Sequence, residues 1–390
     1  MVKETYNNQL RRQCMDIPGL ARPQVAGALK GIEENIPEDV MKKVRNVIVT
    51  GCGDSYMASI VSIPAFRRYA GKFGNQFSSM RAIDAARFLD MGKLDTDATM
   101  IAAVSCSGGP ARIKEILQRG NYYNCETVAV TNNPDSPAGK EAKYDLLTNT
   151  PEFPEPGPGL RNYFASMTGL FLLAAKMGEL KGCCEKGSVS ALSDAIVKNA
   201  EQWKDAVDKI DDQMFEIANK WKTFRNFDCI GDDVEYSSAF FAGAKIVETS
   251  GYQINVDDSE DWCHVGFFQR NPRKIGTIIV TDKNAQDRSR VSETISQAVG
   301  IHRPILLITN GTKEEFNITD GVDVCTIPDA PEGFEFLLPM TAFLPGAILA
   351  GYLSALNNES YFRSMTAYSE RGAWDIPSNN TIKTSTIVII

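Results

Sequence analysis

The chain carries one structural pattern twice. Residues 46–59 align with residues 226–239, with Asn46/Asn226, Gly51/Gly231 and Tyr56/Tyr236 in register, and Thr131-Asn132 matches Thr309-Asn310 further on. The offset stays at about 180 residues, the mark of a duplicated unit. Within each copy, short apolar runs alternate with helical stretches from residue 45 onward. That alternation belongs to a parallel sheet covered on both faces. The first series predicts strands at 46–50, 76–81, 99–105, 127–131 and 144–148, with helices near 54–70, 83–90, 110–119, 136–142 and 162–177. The second predicts strands at 227–231, 252–256, 275–281, 304–309 and 322–327, with helices near 237–250, 287–299 and 343–356. The expected fold class is α/β, with two tandem doubly wound parallel-sheet domains.

Length agrees with duplication, since 390 residues make two domains of about 150 residues plus connections. The expected organisation is an N-terminal helical arm over 1–44, a first domain over 45–182, a helical linker over 183–222, a second domain over 223–357 and a tail over 358–390. Residues 188–220 read as two polar amphipathic helices. A net charge of -8 and a pI near 5.1 argue against nucleic acid as a partner.

Nine cysteines at irregular spacings, no Cys-x-x-Cys pair and only two histidines leave a zinc site without support, and no metal or other cofactor is expected. The start Met1-Val2-Lys3-Glu4 has no apolar leader, so a cytoplasmic protein without disulfides is expected. Residues 336–356 carry no charged side chain, but Pro339, Pro345 and two glycines interrupt them. They read as a buried helix or a subunit contact, and no membrane association is expected.

Chemistry is concentrated in two turns of the first copy. The apolar run 98–104 empties into Ser105-Cys106-Ser107-Gly108-Gly109 before a helix, and 46–50 empties into Gly51-Cys52-Gly53-Asp54-Ser55 before another. Hydroxyls, glycine-opened backbone and a helix N-terminus together suit a phosphate-like anion. The ends of strands in an open parallel sheet are where ligands bind. In the second copy Ser55 becomes Glu235, and Ser105-Cys106-Ser107 becomes Thr281-Asp282-Lys283. Only the first copy is suited to an anion.

These turns in a duplicated α/β chain resemble the sugar isomerase (SIS) domain family. The stretch from about 45 to 390 looks like the isomerase half of glutamine:fructose-6-phosphate amidotransferase and the related fructosamine-6-phosphate deglycases. The resemblance implies two SIS-type, flavodoxin-like domains and an aldose–ketose isomerase for a C6-anionic hexose, with a deglycase as the alternative and a sugar-phosphate-binding regulator as a third reading. The glutaminase half is not matched. Cys14 follows only a short arm, so glutamine-dependent synthesis is not expected.

By the resemblance, a Lys-x-x-Glu helix followed by a histidine is represented by Lys245-Ile246-Val247-Glu248 and His264, and the family's Asn-x-x-Lys tail by Asn380-Thr381-Ile382-Lys383. Glu248 is then the base that moves a proton between C1 and C2, its basicity raised by partial removal from water. His264 is the ring-opening proton shuttle, and Lys383 neutralises charge on the enediolate under a tail that acts as a lid. Gly53, Ser55, Ser105, Cys106, Ser107, Arg161 and Lys245 are expected to bind substrate. In the family the histidine reaches the neighbouring subunit's site, which implies a homodimer. His302 reads as structural.

The chain departs from the family where substrate choice is set. Pro110 stands where the cradle usually ends in threonine, and Arg161-Asn162-Tyr163 stands where small residues are usual. One hydroxyl is lost and a cation is gained, which makes a C6 sulfonate the alternative to phosphate. The family's His-Gly-Pro is His264-Val265-Gly266 here. The acidic run 257–261 lacks the alternating ligands of a calcium loop and reads as a solvated loop.

Overall fold

The computed structural model describes residues 2–154, 158–318, 320–359 and 380–389. Most of the tail expected over 358–390, and part of the Pro/Gly-rich bridge 150–159, lie outside the described residues. The chain divides into two compact units. The first holds residues 19–152 and 161–197 together with tail residues 380–389, and the second holds residues 2–18, 153–154, 158–160 and 198–359.

The first unit is built on β1 (Asn46–Gly51), β2 (Gln76–Arg81), β3 (Thr99–Val104), β4 (Glu126–Thr131) and β5 (Tyr144–Leu147). All pair in parallel in the order β2-β1-β3-β4-β5. β3 and β4 are buried along their whole length, which is why they read as continuous apolar runs, while the edge strand β2 is half exposed. The second unit repeats this with β6 (Asn226–Gly231), β7 (Gln253–Asp257), β8 (Ile275–Thr281), β9 (Ile305–Thr309) and β10 (Val322–Thr326), parallel in the order β7-β6-β8-β9-β10. Each sheet is the doubly wound form in which the chain leaves its first strand to one side and then crosses to the other.

This strand order positions the turns. The chain reverses direction between β1 and β3, so the connections leaving those two strands diverge and open a crevice at their carboxyl ends. Gly51 and Val104 are register partners, as are Gly231 and Val280 in the second sheet. The turns that follow therefore leave each sheet side by side.

Three local expectations need correction. No helix forms at 136–142, where turns replace it. Pro134, Pro137 and Gly139 interrupt the segment, and the Ala138 N–H donates instead to the Gly108 carbonyl at 3.0 Å. The helix expected at 83–90 is shorter, Ala82–Arg87. The stretch 188–220 is one continuous helix, Ser188–Trp221, rather than two, because no glycine or proline interrupts it.

The apolar segment near 336–356 is a core element. Its composition would suit a membrane span, but 94% of its most apolar window is buried. The Leu344–Leu356 helix packs on the Glu235–Ser250 helix of the same unit, so closely that a Cβ on Gly346 would stand 2.5 Å from the Ala242 Cβ. The N-terminal arm is helical over Gln9–Asn35 and Glu38–Lys43. Its start is tied into the second unit by Arg11, whose guanidinium donates twice at 2.7 Å to the fully buried Asp211 carboxylate, which also accepts from Tyr352 at 2.7 Å.

Candidate functional site

In the first unit the β3 turn is a glycine-bent loop closed by its own side chains. Gly108 has φ +60°, and its amide donates to the Ser105 carbonyl at 3.0 Å and to the Ser105 Oγ at 3.1 Å. A Cβ there would lie 1.8 Å from the Ser136 Oγ, so no larger residue fits. Ser107 Oγ accepts from the Gly109 amide at 3.4 Å. The Cys106 carbonyl is held from behind by the Thr131 hydroxyl at 3.0 Å and the Asn132 amide at 3.1 Å. Burial pushes the half-buried Cys106 thiol up to about 11, so at neutral pH it is a weak neutral donor and not a nucleophile.

The Ala111–Tyr122 helix follows, with Pro110 at its N-cap and no side-chain cap. The Pro110 carbonyl accepts from Ile113 and Lys114, and the positive end of the helix points into the turn. The β1 turn supplies the other wall. Gly53, at φ +54°, caps the Asp54–Ala70 helix, and Ser55 sits in that helix's first turn. Asp54 opens the same helix and puts a carboxylate in its first turn beside Ser55.

Lys383 joins this group. It lies on the short Asn380–Thr384 helix, and its Cε and Cδ stand 3.6 and 4.0 Å from where a Cβ on Gly109 would be. Arg161, expected to face the anion, is 8% exposed and donates from Nη1 to the Pro151 carbonyl at 2.8 Å. The guanidinium thus braces the bridge that precedes its helix, a use that spacing did not reveal.

The second unit holds the carboxylate and histidine. Lys245 is fully buried in the Glu235–Ser250 helix, with its ammonium 4.5 Å from the Phe241 ring centre and 3.0 and 2.9 Å from the two carboxylate oxygens of Glu248. Expected as a substrate ligand, Lys245 reaches the outside through Glu248, whose side chain is 35% exposed. The ion pair satisfies the buried ammonium. It also aims the carboxylate.

His264 ends the short Ser259–His264 helix and is 68% exposed, with Nε2 3.0 Å from the Glu260 carboxylate. The loop around it is anchored from beneath. Trp262 Nε1 donates to Asp228 at 2.8 Å, and the buried Arg303 pairs with Asp228 at 3.0 Å and donates to the Gly266 carbonyl at 2.9 Å. Val265 and Phe268 stand exposed beside the histidine at 68% and 74%. Asp228 and Arg303 lie on separate elements, 75 positions apart in sequence (303 minus 228), so no local pattern announces them.

The second copy's own turns hold a carboxamide and ion-pair network. The Asn310 amide donates to Asp282 at 3.1 Å and Asp329 at 3.0 Å, and Lys283 pairs with Asp329. A cavity of about 350 Å³ beside them is lined by acidic groups, among them Asp282, Asp329, Glu332 and Glu335. Burial pushes Glu235, the counterpart of Ser55, up to about 8. The charge expected there from sequence is therefore mostly absent at neutral pH.

No family model matches the chain. In sequence it is 24% identical over 286 residues to a glutamine–fructose-6-phosphate aminotransferase (isomerizing) of Thermotoga maritima, covering 72% of this chain and 44% of that protein. The chain spans about half the length of the curated relatives it matches. In structure it matches the C-terminal domain of glucosamine-fructose-6-phosphate aminotransferase from Francisella tularensis, with TM-score 0.80 and 15% identity, over 93% of this chain and 100% of that one. It also matches tagatose-6-phosphate ketose/aldose isomerase from Escherichia coli, with TM-score 0.68 and 13% identity, over 90% and 93% of the two chains. The two parallel sheets, their shared strand order and these relatives lead to one conclusion: the chain has the tandem SIS-type fold and resembles the isomerase half of glutamine–fructose-6-phosphate aminotransferase.

Proposed function

We propose that the protein is an aldose–ketose isomerase for a hexose that carries an anion at C6. The observation that carries this reading is the pair of glycine-bent turns at the switch point of the first sheet, with the uncapped Ala111–Tyr122 helix start and Lys383 beside them. The anion is held there by Ser55, Ser105 and Ser107 with the backbone around Gly53, Cys106 and Gly108. Phosphate is the default, because the turns offer several short donors to a tetrahedral group.

The proton chemistry falls to Glu248 and His264. His264 moves the ring-opening proton between the ring oxygen and the C1 hydroxyl. Glu248 takes the proton from C2 of the open-chain aldose, leaving an enediolate, and returns it to C1 while the O2 proton passes to O1, which gives the ketose. Lys383 stabilises negative charge on the enediolate oxygen. The exposed His264, flanked by exposed Val265 and Phe268, favours a homodimer in which a second copy covers this loop.

The test has two parts. Glucose 6-phosphate, glucosamine 6-phosphate, 6-sulfonated glucose and a fructosamine 6-phosphate are offered in turn. Conversion of an aldose to a ketose supports the isomerase, release of an amine from the last points to the deglycase, and turnover of none of them sinks both. Glu248→Gln should then lower proton exchange at C2 in deuterated water by roughly 1,000-fold while the sugar still binds. Unchanged exchange removes Glu248 as the base.

A further inference from the structure

The C-terminal segment is fastened to the first unit by one buried carboxylate. Glu115 lies in the Ala111–Tyr122 helix that begins at the cradle, and it is fully buried. Arg87 and Arg112 both form ion pairs with it. Both arginines also reach the tail: Arg87 donates to the Thr386 carbonyl at 3.0 Å, and Arg112 donates to the same carbonyl and to the Ser385 hydroxyl at 3.0 Å. The Glu115 Oε1 itself accepts from the Val388 amide at 3.2 Å.

Among the described residues, no apolar side chain of this segment is fully buried, and Ile387 and Val388 are partly buried. Its helix, Asn380–Thr384, is five residues long, and Ile382 and Ile389 remain 50% and 42% exposed. A segment that buries so few apolar side chains depends on its polar ties. A carboxylate buried between two guanidiniums is stable only while its hydrogen bonds are satisfied, and the tail supplies one of them. The latch begins two residues beyond the latched lysine, so it sets where Lys383 stands relative to Gly109.

We propose that Glu115, acting through Arg87 and Arg112, is the positioning residue that latches residues 385–389 and so keeps Lys383 at the rim of the cradle. For its catalytic consequence the inference rests on the role given to Lys383 above. The latch itself does not need that role, and the experiment separates the two.

Two variants open the latch by different routes. Glu115→Gln removes the charge that organises both arginines, and Val388→Pro removes the tail's N–H donor without touching the buried helix. Trypsin cleavage after Lys383, read by mass spectrometry as release of residues 384–390 from otherwise folded protein, should run about tenfold faster in both variants, since cleavage follows the population of the open segment. In the turnover assay kcat should fall with KM changed less than about threefold, as expected when a group is displaced from the reacting end and the anion site is kept. Lys383→Ala should show the same kcat without added loss in the double variant with Val388→Pro. Unchanged cleavage in Val388→Pro overturns the latch, and faster cleavage with unchanged kcat overturns its role in placing Lys383. If the unaltered protein turns over none of the sugars, the isomerase reading fails, and the cleavage rates alone decide the latch.

Discussion

The turns after β1 and β3 and the turns after β6 and β8 have the same backbone plan and opposite chemistry. In both copies a glycine ends the first strand where a side chain would strike the next helix: a Cβ on Gly51 would stand 2.5 Å from the Ser55 carbonyl carbon, and one on Gly231 would stand 2.7 Å from the Glu235 carbonyl oxygen. In both, that glycine is the register partner of a valine in the next strand over. The side chains then diverge. Ser55, Ser105 and Ser107 line one pair of turns, while in the other Asp282, Lys283 and Asn310 join Asp329 in a carboxamide and ion-pair network, and Glu235 stands where Ser55 does. Duplication preserved the geometry that brings two strand ends together, and the electrostatics of each crevice changed independently of it. An anion site in this fold is therefore a property of a few side chains placed on a plan that both sheets share.

The largest effect that would test this contrast is at Glu235. Burial, reinforced by Asp282, Asp233 and Asp287, pushes its carboxyl up to about 8 from an ordinary value of 4.5. The folded state therefore keeps a proton that the unfolded chain loses as pH rises from about 4.5 to about 8, and stability falls across that window. Glu235→Gln lacks this loss. The variant should match the unaltered protein near pH 4 and exceed it by up to roughly 4 kcal/mol at pH 8, measured by urea unfolding at both pH values. An equal difference at the two pH values would show that the carboxyl is not the buried acid described.

A smaller effect is expected from giving the first copy the residue of the second. Ser55→Glu places a carboxylate at the wall of the proposed anion site. Two like charges about 5 Å apart, at an effective dielectric near 20, repel by roughly 3 kcal/mol, about 100-fold in affinity. Calorimetric titration with inorganic phosphate and with a hexose 6-phosphate should show that loss while the melting temperature changes little. Retained affinity for both would move the anion away from the β1 turn.

How much of this was legible follows from the range of each interaction. The ten strands announce themselves because β3, β4, β8 and β9 are buried on both faces and so read as unbroken apolar runs. The cradle was legible for a similar reason: its glycines and hydroxyls are contiguous. Segment 136–142 misled because its lysine, glutamate and alanine favour helix, while the partner that prevents one, the Gly108 carbonyl, is 30 residues away in sequence (138 minus 108). The hydrogen bond from Arg161 to the Pro151 carbonyl goes to a backbone acceptor, which no residue type reveals. Nothing near Glu115 in sequence shows that Arg87 and Val388 converge on it. Contacts made across such separations are set by topology, and sequence periodicity carries no record of them.

The smallest effect concerns Cys106, the residue between the two cradle serines. With its thiol at about 11, the side chain is neutral through the physiological range and has no thiolate to offer as nucleophile or base. What the turn uses is its carbonyl, fixed by Thr131 and Asn132. Cys106→Ser keeps that carbonyl and exchanges a weak donor for a better one, so kcat/KM should stay within about threefold and the pH–rate profile should not move. Thr131→Val removes a hydroxyl that holds the turn from behind and should cost more, about 1 kcal/mol of stability together with weaker anion binding. If Cys106→Ser instead lost activity by orders of magnitude while Thr131→Val did not, the cradle would be a site of thiol chemistry rather than of anion binding, and the contrast between the two copies would have to be drawn from Cys106 instead of from charge.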